Sequence, residues 1–126
     1  MKRILIIDDE EDFARFIKKN LEETGEFKAE MLNDAKDVLK GAKLFMPDLI
    51  LLDLVMPDIG GLEVCEILNN DKDTQEIPII IVSALGGYTD IKRAYKLGVI
   101  GYLTKPFDFS HLLDEVRKAL SRKEGK

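Results

Sequence analysis

The segment from Pro47 to Gly61 limits this chain more than any other. Leu49-Ile50-Leu51-Leu52 is a continuous apolar run with neither the helical period nor the alternation of a half-exposed strand, opened by Pro47 and closed by Pro57, Gly60 and Gly61. Such a run reads as a strand buried on both faces, which an isolated hairpin or a one-sided sheet cannot provide. Asp53 falls where the run ends. A carboxylate at the rim of a buried strand is half desolvated and has to hold a cation, cap a helix or react.

Two further runs have the same character. Arg3-Ile4-Leu5-Ile6-Ile7 stops at the acids Asp8-Asp9-Glu10-Glu11-Asp12, and Pro78-Ile79-Ile80-Ile81-Val82 stops at Ser83-Ala84. Phe27 to Leu32 and Val99 to Leu103 complete five strands. Helical segments alternate with them. Phe13, Phe16, Ile17 and Leu21 recur at helical spacing up to Gly25, and Asn33 or Asp34 caps a helix carrying Val38 and Leu39. Leu62, Val64, Cys65 and Leu68 mark a third helix over Gly61 to Asn69. Asp90 to Leu97 forms a fourth, closed by Gly98, and Leu112, Leu113, Val116 and Leu120 mark a fifth behind Asp108. Strands too apolar to face water demand helices on both sides, so the fold class is α/β, a doubly wound five-stranded parallel sheet with helices on both faces.

At 126 residues the chain suits one domain, taken as residues 1–122 with a short tail at 123–126. No segment is long and apolar enough for a membrane span or a signal peptide, and a cytoplasmic location is expected. The net charge of -5 argues against non-specific binding to nucleic acid or to an anionic membrane. The basic residues near the end, Arg117, Lys118, Arg122, Lys123 and Lys126, suit the last turns of a helix. Cys65 is the only cysteine, so an internal disulfide and a cysteine metal cluster are both excluded; it reads as a core thiol.

In a parallel sheet the ends of the first, third, fourth and fifth strands lie on one edge, which collects Asp8, Asp9, Asp53, Ser83 and Lys105. Three crowded carboxylates need a counter-charge, and hard oxygen donors of this kind suit Mg²⁺. Lys105 adds a mobile positive charge and Ser83 a hydroxyl donor, both suited to phosphoryl oxygens. Aspartyl-phosphates are known intermediates, and phosphoryl transfer needs mainly alignment and charge neutralisation. Taken singly, Asp8 or Asp9 reads as a helix cap, Asp53 as a turn former, Ser83 as a cap and Lys105 as a surface lysine. Their joint placement at four strand ends favours chemistry.

Four motifs, Ile7-Asp8-Asp9-Glu10, Asp53-Leu54-Val55-Met56-Pro57 with Gly61, Ser83-Ala84, and Gly101-Tyr102-Leu103-Thr104-Lys105-Pro106-Phe107, resemble the receiver domain of two-component response regulators, over about Lys2 to Leu120. The resemblance implies the flavodoxin-like strand order 2-1-3-4-5, which periodicity does not give. It implies that Asp53 accepts a phosphoryl group from a histidine kinase or histidine phosphotransfer protein. It also implies that Asp9, Asp53 and the Val55 carbonyl hold Mg²⁺, with Asp8 acting largely through water, and that Ser83 and Lys105 contact the phosphoryl group. Tyr102 is then the switch aromatic beside Ser83, and the last two helices with the fifth strand become the surface for a downstream protein or a second copy. Val55 and Leu85 flank the approach of water to the phosphoryl group. The Lys105-Pro106 bond is expected to be cis, since the turn has to bring Lys105 back over the strand ends.

Ser83 stands where threonine is common, and Val99 where a small alanine is usual. The expected role is a conformational signal rather than enzymatic turnover, with only self-phosphorylation from a donor and slow loss of the group. Whether an output domain belongs to the chain is left open. An aspartyl-phosphate hydrolase is a weaker reading, because Val55 occupies the place of its usual second acid. A docking module that is never phosphorylated does not need the full acid, hydroxyl and lysine set. A dinucleotide-binding domain fails because Asp8-Asp9 fills the turn where glycines should cradle phosphate.

Overall fold

A computed structural model describes residues 1–56 and 59–124. Five parallel strands, β1 (Lys2–Ile7), β2 (Phe27–Leu32), β3 (Leu49–Leu52), β4 (Ile79–Ser83) and β5 (Gly101–Thr104), form one sheet in the order β2-β1-β3-β4-β5. Five helices connect and follow them: α1 (Glu11–Glu23), α2 (Val38–Phe45), α3 (Gly61–Asn69), α4 (Tyr88–Lys96) and α5 (Phe109–Glu124).

The continuous apolar runs now have a physical reason. Successive strand side chains point to opposite faces of a sheet, and both faces here are covered. Ile4, Ile6, Leu49, Leu51, Ile80 and Val82 pack beneath Ile17 and Leu21 of α1 and Leu112 and Val116 of α5. Leu5, Ile7, Ile50, Leu52, Ile79 and Ile81 pack against Val38, Val64, Cys65, Leu68 and Ala94 on the other side. Each fully buried Leu or Ile contributes about 1.5–3 kcal/mol. Burial also pushes the Cys65 thiol up to about 12, which fits a packed core thiol.

Local chemistry sets the helix ends. Asp34 accepts a hydrogen bond from the Lys36 amide at 2.9 Å and opens a 3₁₀ turn, Ala35–Asp37, that leads into α2. Gly25 and Gly98 take positive φ after α1 and α4, where a side chain would be strained. Met46 takes the same left-handed position after α2, with its amide on the Ala42 carbonyl at 2.9 Å, just before Pro47 starts the entry to β3.

Some sequence expectations shift. Phe16 does not join the buried face of α1: it is 55% exposed, and Ala14, Ile17 and Leu21 supply the stripe. The fifth strand starts at Gly101 rather than Val99, because Val99 donates to the Ala94 carbonyl as part of the turn after α4. α5 runs through Glu124 and takes in the first half of the expected tail; residues 125 and 126 lie outside the described residues, as does Pro57, expected to close the central segment.

Candidate functional site

The site lies along the carboxyl edge of the sheet, where the strand registers deliver its residues side by side. Ile7 pairs with Leu52, so Asp8 and Asp53 leave adjacent strands at the same level. The ladder continues one residue further on each side: the Asp53 amide donates to the Ile7 carbonyl at 3.0 Å, and the Asp8 amide to Leu32 at 3.0 Å. Ser83 pairs with Thr104, and the Lys105 amide donates to the Ser83 carbonyl at 2.8 Å. Gly61 closes the floor. A Cβ there would meet the Asp53 carbonyl oxygen and come within 2.5 Å of the Leu54 Cα, so only glycine lets α3 start this close to the strand end.

Asp8 and Asp53 are 2% and 4% exposed and Ser83 is fully buried. Lys105 reaches over them. Its Nζ donates to Glu10 Oε1 at 2.8 Å and Asp8 Oδ2 at 3.0 Å, and lies 3.6 Å from Asp53 Oδ2. Asp8 Oδ1 accepts from the Glu10 amide at 2.9 Å, and Asp53 Oδ1 from the Val55 amide at 3.2 Å. Asp8 therefore holds the turn that precedes α1, through the Glu10 amide, and belongs to the ionic cluster at once. The Ser83 Oγ accepts from the Leu85 amide at 3.2 Å. The Lys105–Pro106 peptide is cis.

Burial raises the Asp8 carboxyl above its ordinary range, against the lowering effects of the Glu10 amide and Lys105. Burial works the other way on Lys105, yet Glu10, Asp8 and Asp53 together outweigh it, and the ammonium is held above its usual value. The Tyr102 phenol is raised by burial first, then by the charges of Asp90 and Asp53.

Oxygens of Asp8, Glu10 and Asp53 lie within 4.8 Å of one another. This all-oxygen donor set fits a small hard divalent cation such as Mg²⁺. Asp9, expected to share in metal binding, is exposed, as is Glu10, whose carboxylate reaches Lys105 from the rim. The sequence offers five acids in a row, and only the exact start of α1 decides which of them turns toward the strand ends. Val55, 52% exposed, sits on the rim two residues beyond Asp53. On β5, half-buried Tyr102 donates its hydroxyl to the Leu85 carbonyl. Glu10, Phe13 and the Leu85 carbonyl were not singled out from the sequence. For Glu10 the acid run was the signal; for Phe13, read as a core residue of α1, none pointed to the site.

A parallel five-stranded sheet in this order, with acids, a hydroxyl and a lysine on its carboxyl edge, defines a receiver-type signalling module. The profile of the response regulator receiver domain matches residues 4–117, and the chain belongs to that family. It is 40% identical over 125 residues to the DNA-binding dual master transcriptional regulator RpaA of Synechocystis, covering 97% of this chain and 50% of that one. It is 38% identical over 126 residues to the response regulator ArlR of Staphylococcus saprophyticus, covering 100% of this chain and 56% of the other. The chain thus spans about half the length of these relatives. Among solved structures, the receiver domain of the Francisella response regulator 1452 aligns with a TM-score of 0.88 at 32% identity, covering 98% of this chain and 99% of that one. Phosphoryl acceptance with Mg²⁺ is general to the family. No helix among the described residues is long and apolar enough to cross a membrane.

Proposed function

We propose that Asp53 is the phospho-acceptor, with residues 1–122 acting as one receiver domain. The observation that carries this reading is the convergence of the Lys105 ammonium and the Asp8 carboxylate on a buried Asp53 at the end of the central strand. An Asp53 carboxylate oxygen attacks the phosphorus of a phosphohistidine, and the P–N bond breaks with its electron pair going to the imidazole, which takes a proton. Asp53 is held for this by the Ile7 carbonyl behind it and the Val55 amide on Oδ1. Lys105 neutralises charge gathering on the phosphoryl oxygens, and the Ser83 hydroxyl donates to one of them. We assign Mg²⁺ binding to Asp8, Asp9, Asp53 and the Val55 carbonyl, which would hold the ion where its charge would offset the negative charge of donor and acceptor. The step forms a phospho-protein and turns nothing over, apart from slow loss of the group to water.

Signal output is assigned to Ser83 and Tyr102. Drawing the Ser83 hydroxyl toward Asp53 disturbs its bond with the Leu85 amide, one residue position shared with the carbonyl that anchors Tyr102. The ring then leaves Leu85 and turns inward, changing the surface of α4, β5 and α5, where a downstream protein or a second copy binds. The donor is a histidine kinase or histidine phosphotransfer protein, and the location is the cytoplasm. Incubation with an acyl phosphate and Mg²⁺, followed by peptide mass spectrometry after borohydride trapping, tests the acceptor: the reading requires Asp53 to carry the label, and a label elsewhere overturns it.

A further inference from the structure

The Lys105 ammonium has a fourth neighbour that the phosphoryl chemistry does not use. It lies 4.0 Å from the centroid of the Phe13 ring, a residue of the first turn of α1. Phe13 is itself braced: Phe107, two residues beyond Lys105, meets it edge to face, with centroids 6.1 Å apart and ring planes at 88°. The same loop that carries the lysine therefore supports the ring on which its charged end rests. Both rings are half-buried and pack at the margin of the core between α1 and α5.

Resting on the assignment of Asp53 and Lys105 above, we propose that Phe13 is a positioning residue for phosphoryl transfer, holding the Lys105 ammonium over the strand ends through a cation–π contact. A lysine side chain is long, and its ammonium is a compact, strongly hydrated charge with three donors. Carboxylates alone do not fix such a charge, since Asp8 and Glu10 take two of the donors at bonding distance while Asp53 lies just beyond it at 3.6 Å. The face of an aromatic ring attracts the cation, excludes water from one side and offers no acceptor that competes with a phosphoryl oxygen. Glu10 is exposed at the rim, and half-buried Phe13, braced by Phe107, is the wall against which Lys105 is set.

A leucine at position 13 keeps apolar volume and loses the ring face; tyrosine keeps both. The resting protein supplies a direct signature, because the Lys105 Cε is one bond from an Nζ that lies 4.0 Å over the ring centroid, so the reading puts its protons in the shielding cone. They are expected upfield of ordinary lysine positions in the wild type and in Phe13→Tyr, and at ordinary positions in Phe13→Leu. Under fixed acyl phosphate and Mg²⁺, Phe13→Leu is expected to be phosphorylated about threefold to tenfold more slowly, with Phe13→Tyr restoring the rate. If Phe13→Leu does not fold, pentafluorophenylalanine at position 13 keeps the shape and reverses the ring's charge distribution, and the same slowing is expected. Ordinary Lys105 shifts in the wild type, or equal phosphorylation rates with and without the aromatic face, overturn the proposal. Should Asp53→Asn accept the group as readily as the wild type, the acceptor assignment fails, while the Lys105 shifts still decide whether the ring holds the lysine.

Discussion

The ammonium of Lys105 lies 3.6 Å from Asp53 Oδ2, although the two residues leave strands β5 and β3, which are separated by the full width of β4. Two strand spacings are about 9.6 Å, so the lysine has to lie back along the sheet edge to make this approach. Its ammonium also lies 4.0 Å from the Phe13 ring centroid, 3.0 Å from Asp8 at the end of β1, beyond β3, and 2.8 Å from Glu10. The arrangement keeps one positive charge within reach of the buried acceptor.

The buried Asp8 carboxylate costs stability in the absence of a cation. Its folded-state value is raised above 3.8, chiefly by burial, so the folded chain holds this proton more tightly than the unfolded chain does. The contribution of Asp8 to stability is therefore present below about pH 3.8 and lost as pH rises through the folded value. The stability of metal-free Asp8→Asn relative to the wild type is expected to rise as pH goes from 4 to 7, since the neutral side chain has no carboxylate to desolvate, although it gives up the ion pair with Lys105. Urea titrations across pH check this: the difference between variant and wild type shifts in the variant's favour from pH 4 to pH 7, and a difference independent of pH contradicts it.

Gly61→Ala is expected to damage both fold and site. The added Cβ meets the Asp53 carbonyl and the Leu54 Cα, which are backbone atoms and cannot swing aside. Overpacking of this kind costs about 1–3 kcal/mol, and here the displaced backbone is that of the acceptor itself. Thermal unfolding and the phosphorylation rate are expected to fall together; full activity in a destabilised variant contradicts the coupling.

Much of this architecture was legible in the residues, and the limits have physical causes. The runs at Ile4–Ile7, Leu49–Leu52 and Ile79–Val82 announce burial on both faces because two helical layers consume alternate side chains. Asp8, Asp53, Ser83 and Lys105 meet because each stands at, or one residue beyond, the end of a parallel strand. Strand order came only from likeness to the receiver family, since periodicity carries nothing about lateral neighbours. Phe16 misled because 13, 16, 17 and 21 all satisfy helical spacing, and Ala14, small and easily passed over, takes the inward position instead. That Glu10 reaches Lys105 from the rim depends on where α1 begins, a boundary that a run of five acids blurs.

The Tyr102 hydroxyl is tied to the Leu85 carbonyl beside Ser83. Tyr102→Phe removes that tie, at a cost of about 0.5–1.5 kcal/mol, and frees the ring to sample the inward position. Chemical shifts on adding beryllofluoride are expected to move in α4, β5 and α5, with the unliganded variant displaced part of the way along the same path. Changes confined to α1 contradict the switch.

Val55 and Leu85 are both apolar and exposed beside the acceptor pocket. Neither side chain can orient an attacking water by a hydrogen bond, so the phospho-protein is expected to be long-lived. Val55→Asn supplies an amide at that rim and is expected to shorten the lifetime by about tenfold, or ~1.4 kcal/mol in barrier, without preventing phosphorylation. Identical decay rates under the same Mg²⁺, followed by intact-mass spectrometry, contradict this role.

The central claim is that Asp53 takes a single phosphoryl group with the help of a divalent cation held among the neighbouring acids. Intact-mass spectrometry after incubation with an acyl phosphate tests it most directly, in parallel samples of wild type with Mg²⁺, wild type with chelator, and Asp53→Asn with Mg²⁺. The wild type with Mg²⁺ is predicted to gain the mass of one phosphoryl group and the other two samples none; equal labelling of Asp53→Asn, or labelling indifferent to the cation, would contradict the claim.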